Sequence, residues 1–507
     1  MKKNTLLIIS SLLLFTALCI TACKSKDLSK ENSKKTDKEE MSKLPKGDRP
    51  PMRNSDDMGM PPDFDQNGGP GMPPNSQEDF ESDFEIGSFA KGGPGKRPGK
   101  GGKGGPGGRP GQEGPGGMRN SIFEAKCSDP DAKSITYSFT NARGVKVTYH
   151  AKYLIDGQNV TYSAEDFEDG KVSVSAANEI AFLVINGGSL TLNNVTIEKT
   201  GDADDKSLNQ DAYNFYGINN ALVAVGKDSK MTLNGVKITT NALHANAVFA
   251  TDNACINVTN GITINNSKRG SRGFFASYKG SVTSNDGGVY ISTKSNNSAA
   301  LATDRGGGSI TVLGKNNILK TQANDSPCIY STGDIIASGI TGSALAAQTV
   351  VIEGLNNVKI TDSEFTGARK GQGAIMIYQS FSGDSSIGQG KLQIENCVFH
   401  NQYADDKEAM FYVTNTHAVV TVKDCTFYAG KNDKEYTNEN YFVVCEENES
   451  QHWGKTGTNG GQISMTITSS NAKGLLKAAE KDSSISVEGD TKELSKDKVS
   501  IGKVEII

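Results

Sequence analysis

The strongest constraint on this 507-residue chain is a degenerate repeat of roughly 25 residues that runs from about Ile185 to the C-terminus. Each copy holds a short apolar stretch, a turn, then alternating residues ending in an apolar–polar–apolar triplet. The clearest copies are INGGSLTLNNVTI from Ile185, VGKDSKMTLNGVKI from Val225 and ATDNACINVTNGITI from Ala250. ASYKGSVTSNDGGVYI from Ala276 and ATDRGGGSITVLGKNNIL from Ala302 continue the series. Val225, Ala250, Ala276 and Ala302 stand 25, 26 and 26 residues apart. A period built from strand-like pieces predicts stacked β-coils. Alternation puts Leu192, Val195 and Ile197 on an inner face and Thr191, Asn194 and Thr196 on an outer one. Asn, Gly and Asp at the corners accept left-handed backbone.

The N-terminus reads as an address. Lys2 and Lys3 precede an apolar run, Leu6 to Leu18, too short to be a comfortable membrane span. The run ends in Ile20-Thr21-Ala22-Cys23, which resembles the bacterial lipobox. The resemblance implies a signal peptide over 1–22, lipidation at Cys23, and export to the outer face of a bacterial membrane, facing the cell surface. Residues 23–120 read as a disordered Gly/Pro-rich tether, with acids over 78–85 and only basic charges over 91–109. Gly is not at every third position through GGPGKRPGKGGKGG, which excludes a collagen helix. Residues 121–184 alternate apolar and polar around Gly turns and are expected as N-terminal cap strands, with the solenoid over 185–507.

The repeats GGSLTLNNVTI, DSKMTLNGVKI, GKLQIENCVF and VVTVKDCTF resemble the right-handed parallel β-helix proteins of pectate-lyase-like architecture. The resemblance covers about residues 135–500 and implies an all-β fold, a right-handed parallel β-helix solenoid. That fold carries lyases, hydrolases, adhesins and surface proteins alike, so it leaves the function open. The Arg-x-Pro-x-x-Arg pattern of the lyases is absent, as is the Gly-His-Gly of polygalacturonase-like hydrolases. Asp405-Asp406 matches only their second signature, and neither His400 nor His417 has the right neighbours.

Four sets of residues carry chemistry. Asp252 and Asp304 share an offset within their repeats, Lys279 lies near the line between them, and Arg305 follows Asp304. Stacking places the two carboxylates roughly 10 Å apart on one flank, fit to hold Ca²⁺ or an acidic sugar; these are the catalytic candidates. Tyr278, Tyr330, Tyr378 and Tyr412 recur near one coil corner and would form a glycan-binding strip. Asp202, Asp204, Asp205 and Asp211 crowd one loop as a Ca²⁺ candidate, although the EF-hand spacing fails at Ser207 and Tyr213. Arg269 and Arg272 form a basic knuckle beside Phe274 and Phe275.

A net charge of −4 gives no field toward nucleic acid, and there is no P-loop, nucleotide fingerprint or nucleophile-elbow motif. Past Cys23, six cysteines remain (Cys127, Cys255, Cys328, Cys397, Cys425 and Cys445), with no C-x-x-C pair for zinc. Cys397 and Cys425 hold the same place in two repeats and are expected as small core residues, not a bridge. The expectation is a lipid-anchored, non-catalytic surface protein, an adhesin or carbohydrate-binding module. The alternative is a polysaccharide lyase or glycoside hydrolase acting on acidic polysaccharide.

Overall fold

The computed structural model describes residues 121–507, apart from 143, 205–207, 209, 381 and 449–458. The segments expected as signal peptide and tether, with Cys23, lie outside the described residues. The rest is a parallel β-helix. Strands β1 (Ile122–Glu124), β2 (Lys133–Ser138) and β3 (Lys146–Asp156) open the chain, followed by β4 (Asn159–Ser163) and β5 (Lys171–Val174). Next come β6 (Glu179–Ile185), β7 (Ser189–Asn193), β8 (Thr196–Lys199), the helix α1 (Gln210–Tyr216), β9 (Leu222–Val225) and β10 (Lys230–Thr240). The coils then repeat to Lys503–Ile506. No helix among the described residues is long and apolar enough to cross a membrane.

Three parallel sheets result. β3, β6, β9, Val248–Thr251 and Phe274–Ser277 lead the first. β4, β7 and the first half of β10 lead the second, and β5, β8 and the second half of β10 lead the third. The first full coil is therefore β3–β4–β5, so the solenoid begins inside the segment expected as a separate cap. Its open end is filled by aromatic rings from within the coil: Tyr153 stacks on Phe182 at 4.8 Å, and Phe167 lies 5.3 Å from Tyr162.

The corner between the second and third sheets turns on left-handed backbone, one residue in most of these coils and two at Asn260-Gly261. Asn194 (φ 56), Gly235 (φ 62), Asn260 (φ 53), Asp362 (φ 51), Asn396 (φ 52) and Asp424 (φ 50) each occupy it. Gly235 bears it because it lacks a Cβ, and Asn and Asp because their short polar side chains tolerate it. Inside, Leu192, Val195 and Ile197 are fully buried, as the alternation requires. Phe365, Phe399 and Phe427 stack along the axis with centroids 5.4 and 6.1 Å apart.

Just past this corner, Cys397 and Cys425 stand in adjacent coils, one residue before Val398 and Thr426, which pair in register. Ser363 and Ser470 take the equivalent place after Asp362 and Ser469. Each of the four side chains donates to the carbonyl two residues back: Ser363 to Thr361 (2.6 Å), Cys397 to Glu395 (3.2 Å), Cys425 to Lys423 (3.1 Å) and Ser470 to Thr468 (2.9 Å). Cys425 N–H donates onward to Ser470 Oγ at 2.9 Å. The two thiols are free and buried, standing in for serines of a corner ladder. Cys397→Ser and Cys425→Ser should therefore leave the thermal midpoint within a degree or two. The Ala variants should each lose about 1 kcal/mol by removing the donor. Thermal unfolding separates the two, and equal losses for Ser and Ala would refute the ladder role.

Candidate functional site

Strands buried on both faces read as unbroken apolar runs. FFAS (274–277), IMIY (375–378) and FYVT (411–414) in the first sheet are buried at every position. One face of this sheet lines the lumen. The other is covered by the chain itself, and the cover forms a second apolar cluster, separate from the lumen, that joins Phe123, Phe139, Val147 and Tyr149 to Tyr216, Phe249, Phe275 and Tyr278. The cover consists of the N-terminal arm (β1, β2 and the first half of β3), α1, and the segment carrying Ser380, Ser382 and Asp384.

Asp252 is the arm's anchor. It accepts from Tyr137 Oη (2.9 Å), Thr140 N (2.8 Å), Thr140 Oγ1 (2.7 Å) and Asn141 N (2.8 Å), and it is fully buried. The expected alignment of Asp252 with Asp304 does not hold. Ala250 pairs with Ala276, but Ala276 pairs with Thr303, because the next coil is one residue longer. Asp304 therefore lies one position out of register with Asp252, and the two serve different structures. Lys279, exposed at the turn, takes no part in either.

Asp304 lies in a buried charge network. Its carboxylate receives the Arg305 N–H at 2.8 Å and faces Arg272 at 3.7 Å. Arg305 Nε donates to Asp384 at 2.6 Å. Glu353, with no exposed surface, accepts from Tyr330 Oη (2.8 Å), Tyr378 Oη (2.9 Å), Ser382 Oγ (3.3 Å) and Ser380 Oγ. Burial, then the Asp384 charge, push the Asp304 carboxyl up to about 8. The same two causes raise Glu353, against the pull of its hydroxyl donors. Burial lowers Arg272, and Asp304 opposes the shift. Two guanidiniums against Asp304, Glu353 and Asp384 make the set neutral when one acid keeps its proton.

α1 closes over this network. The Phe215 ring lies 4.0 Å from the Arg305 guanidinium carbon, and the Phe215 carbonyl accepts from Ser277 Oγ at 2.9 Å. Asn214 Oδ1 accepts from Arg272 at 3.4 Å and lies 3.2 Å from His244 Nδ1. Burial, then the Arg272 charge, lower His244 to about 4, so it is neutral at physiological pH.

The tyrosines do not form an exposed strip. Tyr278, Tyr330, Tyr378 and Tyr412 are 1, 2, 2 and 3 % exposed. Only Tyr330 and Tyr412 share a column, separated by Val351 and Met376. Tyr378 pairs with Glu353, and Tyr278 bonds Tyr216 Oη at 2.9 Å under the arm. Arg272 of the basic knuckle faces the acids, with its guanidinium over the Phe275 ring at 4.6 Å. In the acidic loop, Asp202 is paired with Lys268 at 2.9 Å and accepts from Leu243 N at 2.8 Å, while Asp204 is exposed. Asp205 and the side chain of Asp211 lie outside the described residues. No group of three or more His, Cys, Asp or Glu among the described residues is placed to hold a metal ion. Sequence reasoning missed Glu353 and Asp384, which stand in no motif; the unbroken apolar strands around them were the available signal.

The outer face of the second sheet differs. One in-register column runs Thr161, Thr191, Thr232, Asn257, Thr283 and Thr311, then Ile336, Lys359, Gln393, Thr421 and Thr466. Every member is half-buried or exposed. Strand spacing sets the hydroxyls and amides about 4.8 Å apart. Lys230 and Lys391, both exposed, stand in the neighbouring column of this face.

No protein-family model matches this chain, and no curated protein or solved structure matches it either.

Proposed function

We propose that this protein is a lipid-anchored, cell-surface β-helix that binds an acidic polysaccharide without cleaving it. The supporting observation is the long polar column on the second sheet: hydroxyl and amide groups along the solenoid, with Lys359 in the column and Lys230 and Lys391 beside it. A polymer laid along the axis meets a hydroxyl or amide at most steps, interrupted at Ile336, and the ammoniums attract its carboxylates. The pairing of Asp252 and Asp304 within the chain agrees with a binding role, since both carboxylates already have partners.

The lipid anchor is tested by metabolic labelling with a fatty-acid analogue, which should fail on Cys23→Ser. The binding face is tested on the full-length chain with an array of acidic and neutral polysaccharides. Lys359→Glu combined with Lys391→Glu should weaken retention of acidic polymer at least tenfold. Lys320→Glu, exposed on the third sheet, should change nothing. These exposed substitutions lie away from any core, so stability should move by no more than about 0.5 kcal/mol. Unchanged retention by the double variant would rule out this face.

A second reading is favoured by one feature: Asp304, a buried acid held near pH 8 between arginines, has the profile of a tuned proton donor. Mass analysis of each polymer after incubation decides between the two. Unsaturated or shortened oligosaccharides that vanish with Asp304→Asn would assign a lyase or hydrolase.

A further inference from the structure

Outward side chains on a β-helix strand normally meet water. On the first sheet, a row of polar side chains is instead buried. Ala302, Tyr330 and Val351 follow one another in register, so Asp304, Thr332 and Glu353, each two residues on, line up along the axis. Their exposures are 4, 2 and 0 %. Burying ions is costly even when they are paired, and such networks seldom add net stability. Two neighbouring groups are also left unmatched: Thr332 Oγ1 and Gln379 Oε1 are buried without a hydrogen-bond partner. An unmatched buried polar group costs about 1–3 kcal/mol.

What covers the row lies outside the solenoid repeat. α1 is inserted between β8 and β9, and the segment with Ser380, Ser382 and Asp384 is inserted between Ile375–Tyr378 and Gly390–Glu395. Both insertions end on the same side chain. Phe215 of α1 lies against the Arg305 guanidinium at 4.0 Å, and Asp384 binds Arg305 Nε at 2.6 Å. Ser380 and Ser382 hold the second insertion down on Glu353.

We propose that α1 and the Ser380–Asp384 segment form a strap latched jointly on Arg305, and that its opening uncovers a second saccharide-binding cleft. The cleft is floored by Asp304, Thr332 and Glu353, with Tyr330 and Tyr378 beside them. Carboxylates accept sugar hydroxyls, the Thr332 hydroxyl and Gln379 carbonyl gain the partners they lack, and tyrosine rings give an apolar surface to a sugar ring. Closed, the strap supplies hydroxyls of its own, from Ser380 and Ser382, in place of the ligand's. The choice of ligand rests on the polysaccharide reading given above; the latch does not.

The latch is tested without ligand, by hydrogen exchange of the full-length chain. Asp384→Asn should raise exchange about tenfold in its own segment and also in α1, through loss of the shared Arg305. Phe215→Leu removes the ring and leaves the carboxylate; it should loosen the Ser380–Asp384 segment in return. Changes confined to the mutated segment in both variants would overturn the latch. If either variant misfolds, the other still decides, because the coupling is reciprocal. The cleft is tested by calorimetric titration with a neutral galactose hexamer in the Lys359→Glu, Lys391→Glu background, which disables the second-sheet face. Adding Asp384→Asn there should tighten binding at least fivefold. Equal affinity, or no binding, would overturn the cleft while leaving the latch and the second-sheet proposal to their own measurements.

Discussion

Asp252→Ala should free the N-terminal arm from the solenoid while leaving the coils folded. The carboxylate accepts four hydrogen bonds from Tyr137, Thr140 and Asn141, two of them from backbone amides. A hydrogen bond to a charged group contributes about 1.5–3 kcal/mol, and donors left buried without a partner add their own desolvation cost. Together these put the loss at about 3–5 kcal/mol. The arm's other polar ties include Tyr149 Oη to the Tyr216 carbonyl at 2.6 Å, Asn141 Nδ2 to the Tyr278 carbonyl at 3.0 Å, Asn178 Nδ2 to the Lys126 carbonyl at 2.8 Å and Ala177 N–H to Ser128 Oγ at 3.2 Å. In a stacked repeat each unit depends on its neighbours, so the damage should remain local. Amide exchange over β2 and the first half of β3 should quicken roughly 100-fold, the equivalent of about 3 kcal/mol. Strands from Val248 onward should keep their protection. Asp252→Asn should fall between, because its amide nitrogen faces the Thr140 N–H that the lost oxygen had accepted. An arm that exchanges at the wild-type rate in Asp252→Ala would show that apolar packing alone holds it.

The different fates of Asp252 and Asp304 show how far this sequence can be read. The coil period, the inner face of Leu192, Val195 and Ile197, and the Asn and Asp corners follow from local rules of alternation and backbone preference, and the structure contains them. The Cys397–Cys425 stacking was legible for the same reason, since both follow a left-handed corner residue in adjacent coils. Register over several coils was not. One extra residue between Ala276 and Thr303 moves the next offset by one, and the Gly-rich turn at Gly287-Gly288 hides the insertion. The tyrosines were grouped by their nearness to one coil corner, and unequal coil lengths put them at different register positions: Tyr330 pairs with Val351, and Tyr378 with Glu353. What covers the first sheet was least legible of all. Alternation assumes a solvated outer face, whereas here distant residues such as Phe139, Phe215 and Ser380 bury it. Glu353 and Asp384 acquire their environment only through those contacts.

Asp304→Asn should change the pH dependence of stability, and the sign follows from the direction of the shift. The folded chain holds the Asp304 proton up to about pH 8, against an ordinary value of 3.8. Between those values the folded state binds a proton that the unfolded state releases. The stabilising contribution is therefore complete below about pH 4 and is lost as pH rises through about 8. The ceiling is about 1.4 kcal/mol per pH unit. Glu353, also raised, acts in the same direction. Lys199, fully buried and donating to the Glu179 carbonyl at 2.7 Å, is lowered by burial to about 8 from 10.5, so its effect appears above pH 8 and has the opposite sign. Comparing wild type with Asp304→Asn cancels Lys199 and every group the substitution leaves alone. The amide copies the neutral acid and cannot ionise. Thermal midpoints should nearly coincide at about pH 4 and separate progressively to pH 8, where the Asn variant should be the more stable by several degrees. Parallel curves would mean that Asp304 is already ionised at pH 5, with Arg272 and Arg305 outweighing its burial. The acid would then be a fixed counter-ion, and both the tuned proton donor and the neutral network would fall with that result.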